Sequence, residues 1–368
     1  MFRKIKKTMI ILFITLIVLS LGGYLFMQQP QFGRNPSGKS LERIQKSPHY
    51  QNGAFKNQHF TPDLAEGVTY WDILKAYIPK VENKEPSQPL PSIKTDLKNI
   101  QSDKPVVVWF GHSSYFMRIE GKNVLVDPVF SGHASPVSFF GANYAGSNVY
   151  SFDDFPELDL LIISHDHYDH LDYETVKNLR PKVKKVITSL GVGSHLVHWG
   201  YDETQITELD WWEKTAIDST LNITSAPARH FSGRGFKRGQ TFWSSFILKT
   251  PHHNIYVGGD SGYDTHFKEI GEKYGPFDLA ILECGQYNEF WKYIHFMPEE
   301  TAHAAVELKA KLLLPVHWSK FTLGLHPWTE PIERVLKKSK ELNLAITTPM
   351  IGEKLEIGNT IPVKEWWR

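Results

Sequence analysis

Leu160-Leu161-Ile162-Ile163-Ser164-His165-Asp166-His167-Tyr168-Asp169-His170 is the stretch that decides how this 368-residue chain folds. An unbroken apolar run that stops at a serine reads as a strand covered on both faces, because a strand with one wet face would alternate apolar and polar residues. Such strands belong to α/β or αββα layer folds. Directly after the run stands the pattern His-x-His-x-Asp-His, with potential ligands His165, His167, Asp169 and His170. Side chains diverge where a strand gives way to a loop, so His165 and His167 can hold one metal while Asp169 and His170 turn to a second. Imidazole and carboxylate together suit Zn²⁺, and iron or manganese is compatible with the same donors.

One loop cannot close two metal sites. Three later segments each supply a further ligand just past a predicted strand: His230 after Leu221 to Thr224, Asp260 after Ile255 to Val257, and His317 after Leu312 to Val316. Alone, each has an ordinary reading as a surface group, a turn former or a core histidine. Together with the upstream pattern they form a set. Further strands are predicted at Val106–Phe110, Tyr115–Ile119 and Val124–Val126, the last two joined by turn chemistry at Glu120-Gly121-Lys122-Asn123.

The composition narrows the function. Lys+Arg 41 against Asp+Glu 40 leaves a formal charge of +1, so no basic field marks a nucleic-acid binder. The one cysteine, Cys284, excludes an internal disulfide framework and reads as a small buried apolar residue.

Residues 1–28 combine a basic cluster, Arg3, Lys4, Lys6 and Lys7, with a nearly all-apolar span from Met9 to Met27. That span matches the about 20 residues needed to cross a bilayer as a helix. A cleaved signal peptide would have a shorter apolar region and a small-x-small site, so a single-pass N-terminal anchor is expected. The positive charge before it favours a cytoplasmic N-terminus and an extracytoplasmic body, although Arg34, Lys39, Arg43 and Lys46 blunt the bias. Residues 29–103 read as linker and lead-in, broken by Glu85-Pro86-Ser87-Gln88-Pro89-Leu90-Pro91. Within them Tyr70, Trp71, Ile73, Leu74, Tyr77 and Ile78 mark a short helix. It is expected to pack on the main domain, with lipid contact as the second reading. Residues 104–355 form the main domain and 356–368 a C-terminal tail.

The order His-x-His-x-Asp-His, then His, Asp and His, resembles the metallo-β-lactamase superfamily. Further motifs narrow the likeness: Leu125-Val126-Asp127-Pro128-Val129-Phe130-Ser131, Ala134-Ser135-Pro136, Leu209-Asp210-Trp211-Trp212-Glu213, Gly259-Asp260-Ser261-Gly262-Tyr263, Gly275-Pro276-Phe277-Asp278-Leu279-Ala280 and His295-Phe296-Met297-Pro298-Glu299-Glu300. These resemble the N-acyl-phosphatidylethanolamine-hydrolysing phospholipase D family, from about residue 50 to about residue 355. The resemblance implies a four-layer αββα fold behind the N-terminal transmembrane helix, and two Zn²⁺ per chain. It places His165, His167 and His230 on one ion, Asp169, His170 and His317 on the other, and Asp260 between them. Asp127 takes a supporting position behind the ligand loop, His295 lines the substrate site and His112 stands close to the metals.

The implied reaction is phosphodiester hydrolysis of an N-acyl-phosphatidylethanolamine or related lipid by water activated between the ions. Asp169 is expected to serve as ligand and proton acceptor, with His295 and His112 in supporting catalytic roles. Hydrolysis of a lactone or other small phosphoester is one alternative, and a non-catalytic membrane-tethered metal binder is another. The second is disfavoured because ligands shared across two sites leave open coordination positions. Expected partners are a phospholipid or small phosphoester and the membrane, with a homo-oligomer compatible and nucleic acid not.

Overall fold

In the computed structural model, which describes residues 2–368, the Leu160 run lies in the interior of a sheet and is buried along its whole length. A short hairpin, β1 (Tyr50–Gln51) and β2 (Ala54–Phe55), precedes two large sheets. The first contains β3 (Val106–Trp109), β4 (Tyr115–Ile119), β5 (Lys122–Val126), β6 (Leu160–Ile163), β7 (Val186–Ser189), β8 (Ile206–Leu209) and β15 (Lys354–Glu356), in the order β15-β3-β4-β5-β6-β7-β8. Pairing is antiparallel from β15 to β5 and parallel from β5 to β8. The second contains β9 (Lys214–Ala216), β10 (Asn222–Ala226), β11 (Ser245–Lys249), β12 (Asn254–Val257), β13 (Leu279–Glu283) and β14 (Leu313–Val316), and runs β14-β13-β12-β11-β10-β9.

Strand periodicity explains the layers. Val107, Trp109, Leu160 and Ile162 point into one core with Ile223, Phe246, Leu248, Ile255 and Val257 of the second sheet. Their alternates Val106, Val108, Leu161 and Ile163 pack instead on Val176 and Leu179 of α4 (Tyr173–Leu179) and Leu196 of α5 (Gly193–His198). Helices α6 (His266–Lys273), α7 (Pro298–Glu307) and α8 (Glu330–Glu341) supply Phe267, Ile270, Ala304, Ala305, Leu308, Ile332 and Val335 to the core of the second sheet. The result is helix, sheet, sheet, helix, in agreement with the sequence. Between β4 and β5 the register pairs Ile119 with Lys122, and Glu120 and Gly121 both take positive φ (48° and 72°), the requirement of a tight two-residue hairpin turn.

Residues beyond β15 are part of the body. Trp366 stacks on Trp318 at 5.4 Å and Trp367 meets it edge-on at 5.5 Å, so the end of the chain braces the residue that follows His317.

The N-terminal helix α1 (Phe2–Phe26) is long and apolar enough to be a candidate membrane span, and none of it is buried by the rest of the chain. Its foot is held firmly. Trp199 Nε1 donates to Pro30 O, the Arg34 N–H donates to His195 Nδ1, and Arg234 donates twice to Gln31 O. After α2 (Gly38–Ile44) comes α3 (Tyr70–Ala76), closed at its start by a reciprocal Thr69/Asp72 capping box. Here the expectation of packing on the main domain fails. Tyr70, Trp71, Leu74 and Ile78 are 66%, 61%, 55% and 78% exposed, because α3 lies at the mouth of a cavity that only Tyr70 and Ile73 help to line.

Candidate metal centre

Every residue singled out from the sequence as a ligand stands at the end of a strand or in the loop just after one, and the sheets bring those ends together. His165, His167, His230 and Asp260 present ligand atoms within 4.8 Å of one another, and so do His112, Asp169, His170 and His317. The Asp260 carboxylate sits between the two groups with one oxygen for each. Oδ1 lies 3.0 Å from His170 Nε2 and 3.1 Å from His317 Nδ1, and Oδ2 lies 3.8 Å from His165 Nε2 and 3.7 Å from His230 Nε2.

The donors fit cations better than they fit each other. His165 Nε2 and His230 Nε2 crowd His167 Nδ1 at 2.9 and 3.1 Å, so three imidazole nitrogens face one point. Asp260 Oδ1, His170 Nε2 and His317 Nε2 are buried without a hydrogen bond despite their close neighbours, an arrangement that is costly unless something positive accepts their lone pairs. Burial, reinforced by the neighbouring imidazoles, pushes His165, His230 and His317 well below the usual histidine range. Burial likewise lowers His167 to about 4. All four are therefore neutral, the form that binds metal. At His170 burial also opposes charge, but Asp260, Asp169 and the bond to Asp127 outweigh it and raise its pKa well above the ordinary value. Whatever favours a proton there favours a cation.

Several of these side chains are oriented from behind. Asp127 accepts from the Ser164 N–H, from Ser164 Oγ and from His170 Nδ1, at 2.8, 2.6 and 2.8 Å, which leaves His170 Nε2 for the cluster. His230 Nδ1 donates to Ile294 O at 2.8 Å, which turns Nε2 inward. Asp169 Oδ2 accepts from His112 Nε2 at 2.9 Å, so His112 supports a ligand. Burial works against the Asp169 carboxylate ion, yet His170 and His112 hold its pKa well below the usual range. His112, Asp127 and His317 all take positive φ (52°, 40° and 68°), strain of a kind that gathers at functional sites.

Three supporting residues escaped the sequence reading. Glu283, fully buried at the end of β13, accepts from the Ser261 N–H at 2.6 Å and holds His295 Nδ1 at 2.8 Å. Its signal is the one that found the ligands, a polar residue closing an apolar run. Arg234 donates to Asp166 O and Leu171 O, both at 2.7 Å, and so clamps the backbone on either side of His167 to His170. Ser113 Oγ lies 2.9 Å from His317 Nδ1. Asp166, the variable position of the motif, faces away from the clusters, accepting from the Gly233 N–H and Thr241 Oγ1 and meeting His195 Nε2 at 3.1 Å.

Above the clusters opens a cavity of about 300 Å³, with His167, Asp169, Asp260, His295 and His317 on its floor and Leu64, Ile73, Phe231, Trp291, Ile294 and Leu323 among its walls. His295 is positioned there with Nδ1 engaged by Glu283, and the described residues give its Nε2 no hydrogen bond.

Comparison with known proteins agrees with this geometry. Residues 122–318 match the family model described as a beta-lactamase superfamily domain. An uncharacterised protein of Mycobacterium tuberculosis is 36% identical over 333 residues, covering 88% of each chain. N-acyl-phosphatidylethanolamine-hydrolyzing phospholipase D 1 of Caenorhabditis elegans is 34% identical over 229 residues, covering 59% of this chain and 64% of the worm protein. Among solved structures, a metallo hydrolase from the archaeon Ignicoccus hospitalis superposes with a TM-score of 0.54 at 19% identity, covering 68% of this chain and 97% of its own.

Proposed function

Since the chain belongs to the metallo-β-lactamase superfamily, we propose that this metal-dependent hydrolase is a membrane-anchored, dizinc phosphodiesterase of phospholipase D type acting on N-acyl-phosphatidylethanolamine or a closely related lipid. The observation that carries the reading is the apolar-walled cavity opening directly onto two His/Asp clusters with Asp260 between them. A lipid needs both parts, a wall for its chains and a cationic floor for its phosphate. The likeness to the worm phospholipase D supports the choice of lipid.

His165, His167 and His230 would hold one zinc and Asp169, His170 and His317 the other, with Asp260 placed to serve both. When bound, such a pair supplies Lewis acidity, which acidifies water and offsets the negative charge that builds on phosphorus. The chain's own groups do the rest. Asp169, kept ionised and oriented by His112, takes the proton of the attacking water. His295, whose Nδ1 accepts from the Glu283 carboxyl that burial keeps protonated, donates its Nε2–H to a phosphate oxygen. Leu64, Ile73, Phe231 and Leu323 pack the acyl chain and keep bulk water from the floor. As the water oxygen bonds to phosphorus, the bond from phosphorus to the ethanolamine oxygen breaks and that oxygen takes up the proton held by Asp169, giving phosphatidic acid and an N-acylethanolamine. With the apolar part of α1 in the bilayer, the basic residues in its first turns favour an extracytoplasmic body.

The test uses the full chain in lipid nanodiscs. N-acyl-phosphatidylethanolamine, bis(p-nitrophenyl) phosphate and a lactone panel are offered with and without chelator, and products are read by mass spectrometry. Chelator-sensitive release of phosphatidic acid and N-acylethanolamine at a rate well above the other substrates is expected. Equal turnover of the soluble diester and the lipid would remove the lipid reading.

A further inference from the structure

The outer rim of the cavity carries apolar side chains of a kind that water-facing surfaces seldom gather in one place. On one side α3 turns Trp71, Leu74 and, just past its end, Ile78 outward, while Ile73 and the exposed Tyr70 line the cavity mouth. On another side Phe231 and Arg238 line the cavity, and between them Phe236 stands 96% exposed. A third segment carries Phe139 and Phe140, 88% and 54% exposed, beside Gly141, which abuts the cavity residue Leu323.

These segments are tied to the foot of α1. Met27, the first residue past that helix, touches Gly235, where an added Cβ would come 3.2 Å from Met27 Cε, so Phe236 stands one residue from the membrane end of the chain. Gln31 Nε2 donates to Pro136 O in the loop that leads to Phe139. Arg234 joins the foot to the metal loop by donating to Gln31 O, Asp166 O and Leu171 O. The body therefore does not swing on a free linker. Its cavity rim is tied to the segment that directly follows α1.

We propose that the rim is a bilayer-docking face: Trp71, Leu74, Ile78, Phe139 and Phe236 settle into the headgroup and upper acyl region of the same membrane that holds α1, so that a lipid passes into the cavity without crossing water. The shape and composition favour a lipid surface over a protein. The apolar groups sit on separate protruding segments instead of one groove, and a fluid surface is what accommodates separate tips. Aromatic side chains are mixed with cations, Lys75 over Trp71 at 5.6 Å, Arg238 over Phe231 at 4.5 Å and exposed Lys237, a pairing suited to the boundary between acyl chains and anionic headgroups. The proposal rests on α1 being a membrane anchor, and it adds the route by which the proposed substrate arrives.

Two measurements on the full chain in phosphatidylethanolamine/phosphatidylglycerol nanodiscs test it. Cys284 is buried, so single introduced cysteines take a fluorophore selectively. Labels at Leu74→Cys and Phe236→Cys are compared with one at Lys340→Cys on the outer helix α8, using lipids with a nitroxide near the headgroup as quencher. Quenching at 74 and 236 about threefold or more above that at 340 is expected. Equal quenching at the three sites overturns the proposal, and so does a label signal that depends on protein concentration and not on lipid, which would assign the face to a second copy. This measurement requires no turnover and stands even if the lipid is not the substrate. In the second, Trp71→Ser with Phe236→Ser is expected to lower kcat/KM for bilayer N-acyl-phosphatidylethanolamine about tenfold while changing bis(p-nitrophenyl) phosphate hydrolysis less than about twofold. A parallel loss on both substrates, or on neither, counts against docking.

Discussion

Beneath the cavity the Asp127 carboxylate takes three hydrogen bonds, Asp260 meets five imidazoles, and His170, His230 and Asp169 are each set by a partner behind them. At the rim, Trp71, Leu74 and Phe236 reach into open space. The two regions lie only a few residues apart in the fold, and the contrast shows how the chain divides its work. Ligand positions are over-determined because a metal demands fixed angles and distances. The rim is under-determined because Trp71, Leu74 and Phe236 stay mostly exposed in the folded chain. Substitutions on the floor should therefore be read in chemistry, and substitutions on the rim in location.

The largest effect is expected at the carboxylate shared by both clusters. Asp260→Asn removes one charge from two sites at once, so metal content measured by plasma mass spectrometry should fall below one equivalent. Hydrolysis should drop by more than the roughly 10–100-fold typical of losing a supporting partner. Asp127→Asn sits one step back, touching His170 and Ser164 but no second cluster, and should stay within that range. If the two variants lose equal activity and equal metal, Asp260 is not shared and the two-cluster reading fails.

Protons should act in the same place. Burial lowers His112 and His167 to about 4, against 6.5 in an unfolded chain. Above pH 6.5 both states are neutral at these groups and they contribute no pH dependence. As pH falls from 6.5 toward 4 the unfolded chain takes up protons that the native chain refuses, so metal-free protein loses stability through that window, by at most about 3 kcal/mol per group. Urea unfolding of chelated protein at pH 7.5, 5.5 and 4.5 should give a steadily falling midpoint. A midpoint unchanged across that range would mean these imidazoles are not held neutral by burial.

The same contrast explains what was legible in the sequence. His165, Asp260 and His317 each follow an apolar run, and burial of the run fixes the polar residue at the end of a strand, so the side chains that gather in the clusters and the layered fold were readable together. Glu283 closes a run in the same way, but a lone carboxylate at a strand end reads as a group in water until His295 is found beside it. Arg234 gave no signal because its partners are the carbonyls of Gln31, Asp166 and Leu171, and backbone groups carry no residue code. The outward face of α3 was misread for a different reason: an apolar stripe looks alike whether its neighbour is a protein core or a lipid layer.

The smallest effect expected sharpens the comparison most. Leu74→Ser and Phe236→Ser remove apolar side chains, a change that in the core would cost several kcal/mol. At the rim these side chains are mostly exposed in the folded chain as in the unfolded one, so their loss should shift the unfolding free energy by less than about 0.5 kcal/mol. Trp318→Ala, beside His317 and beneath Trp366 and Trp367, should cost about 3–5 kcal/mol by the same assay. Denaturant unfolding in detergent, away from any bilayer, measures all three. A rim variant that destabilises as much as Trp318→Ala would mean that the exposed aromatics are covered within the chain itself, which leaves no free face for a membrane to meet. A near-zero shift means that folding has no use for them, and that whatever these residues do is done against something outside the molecule.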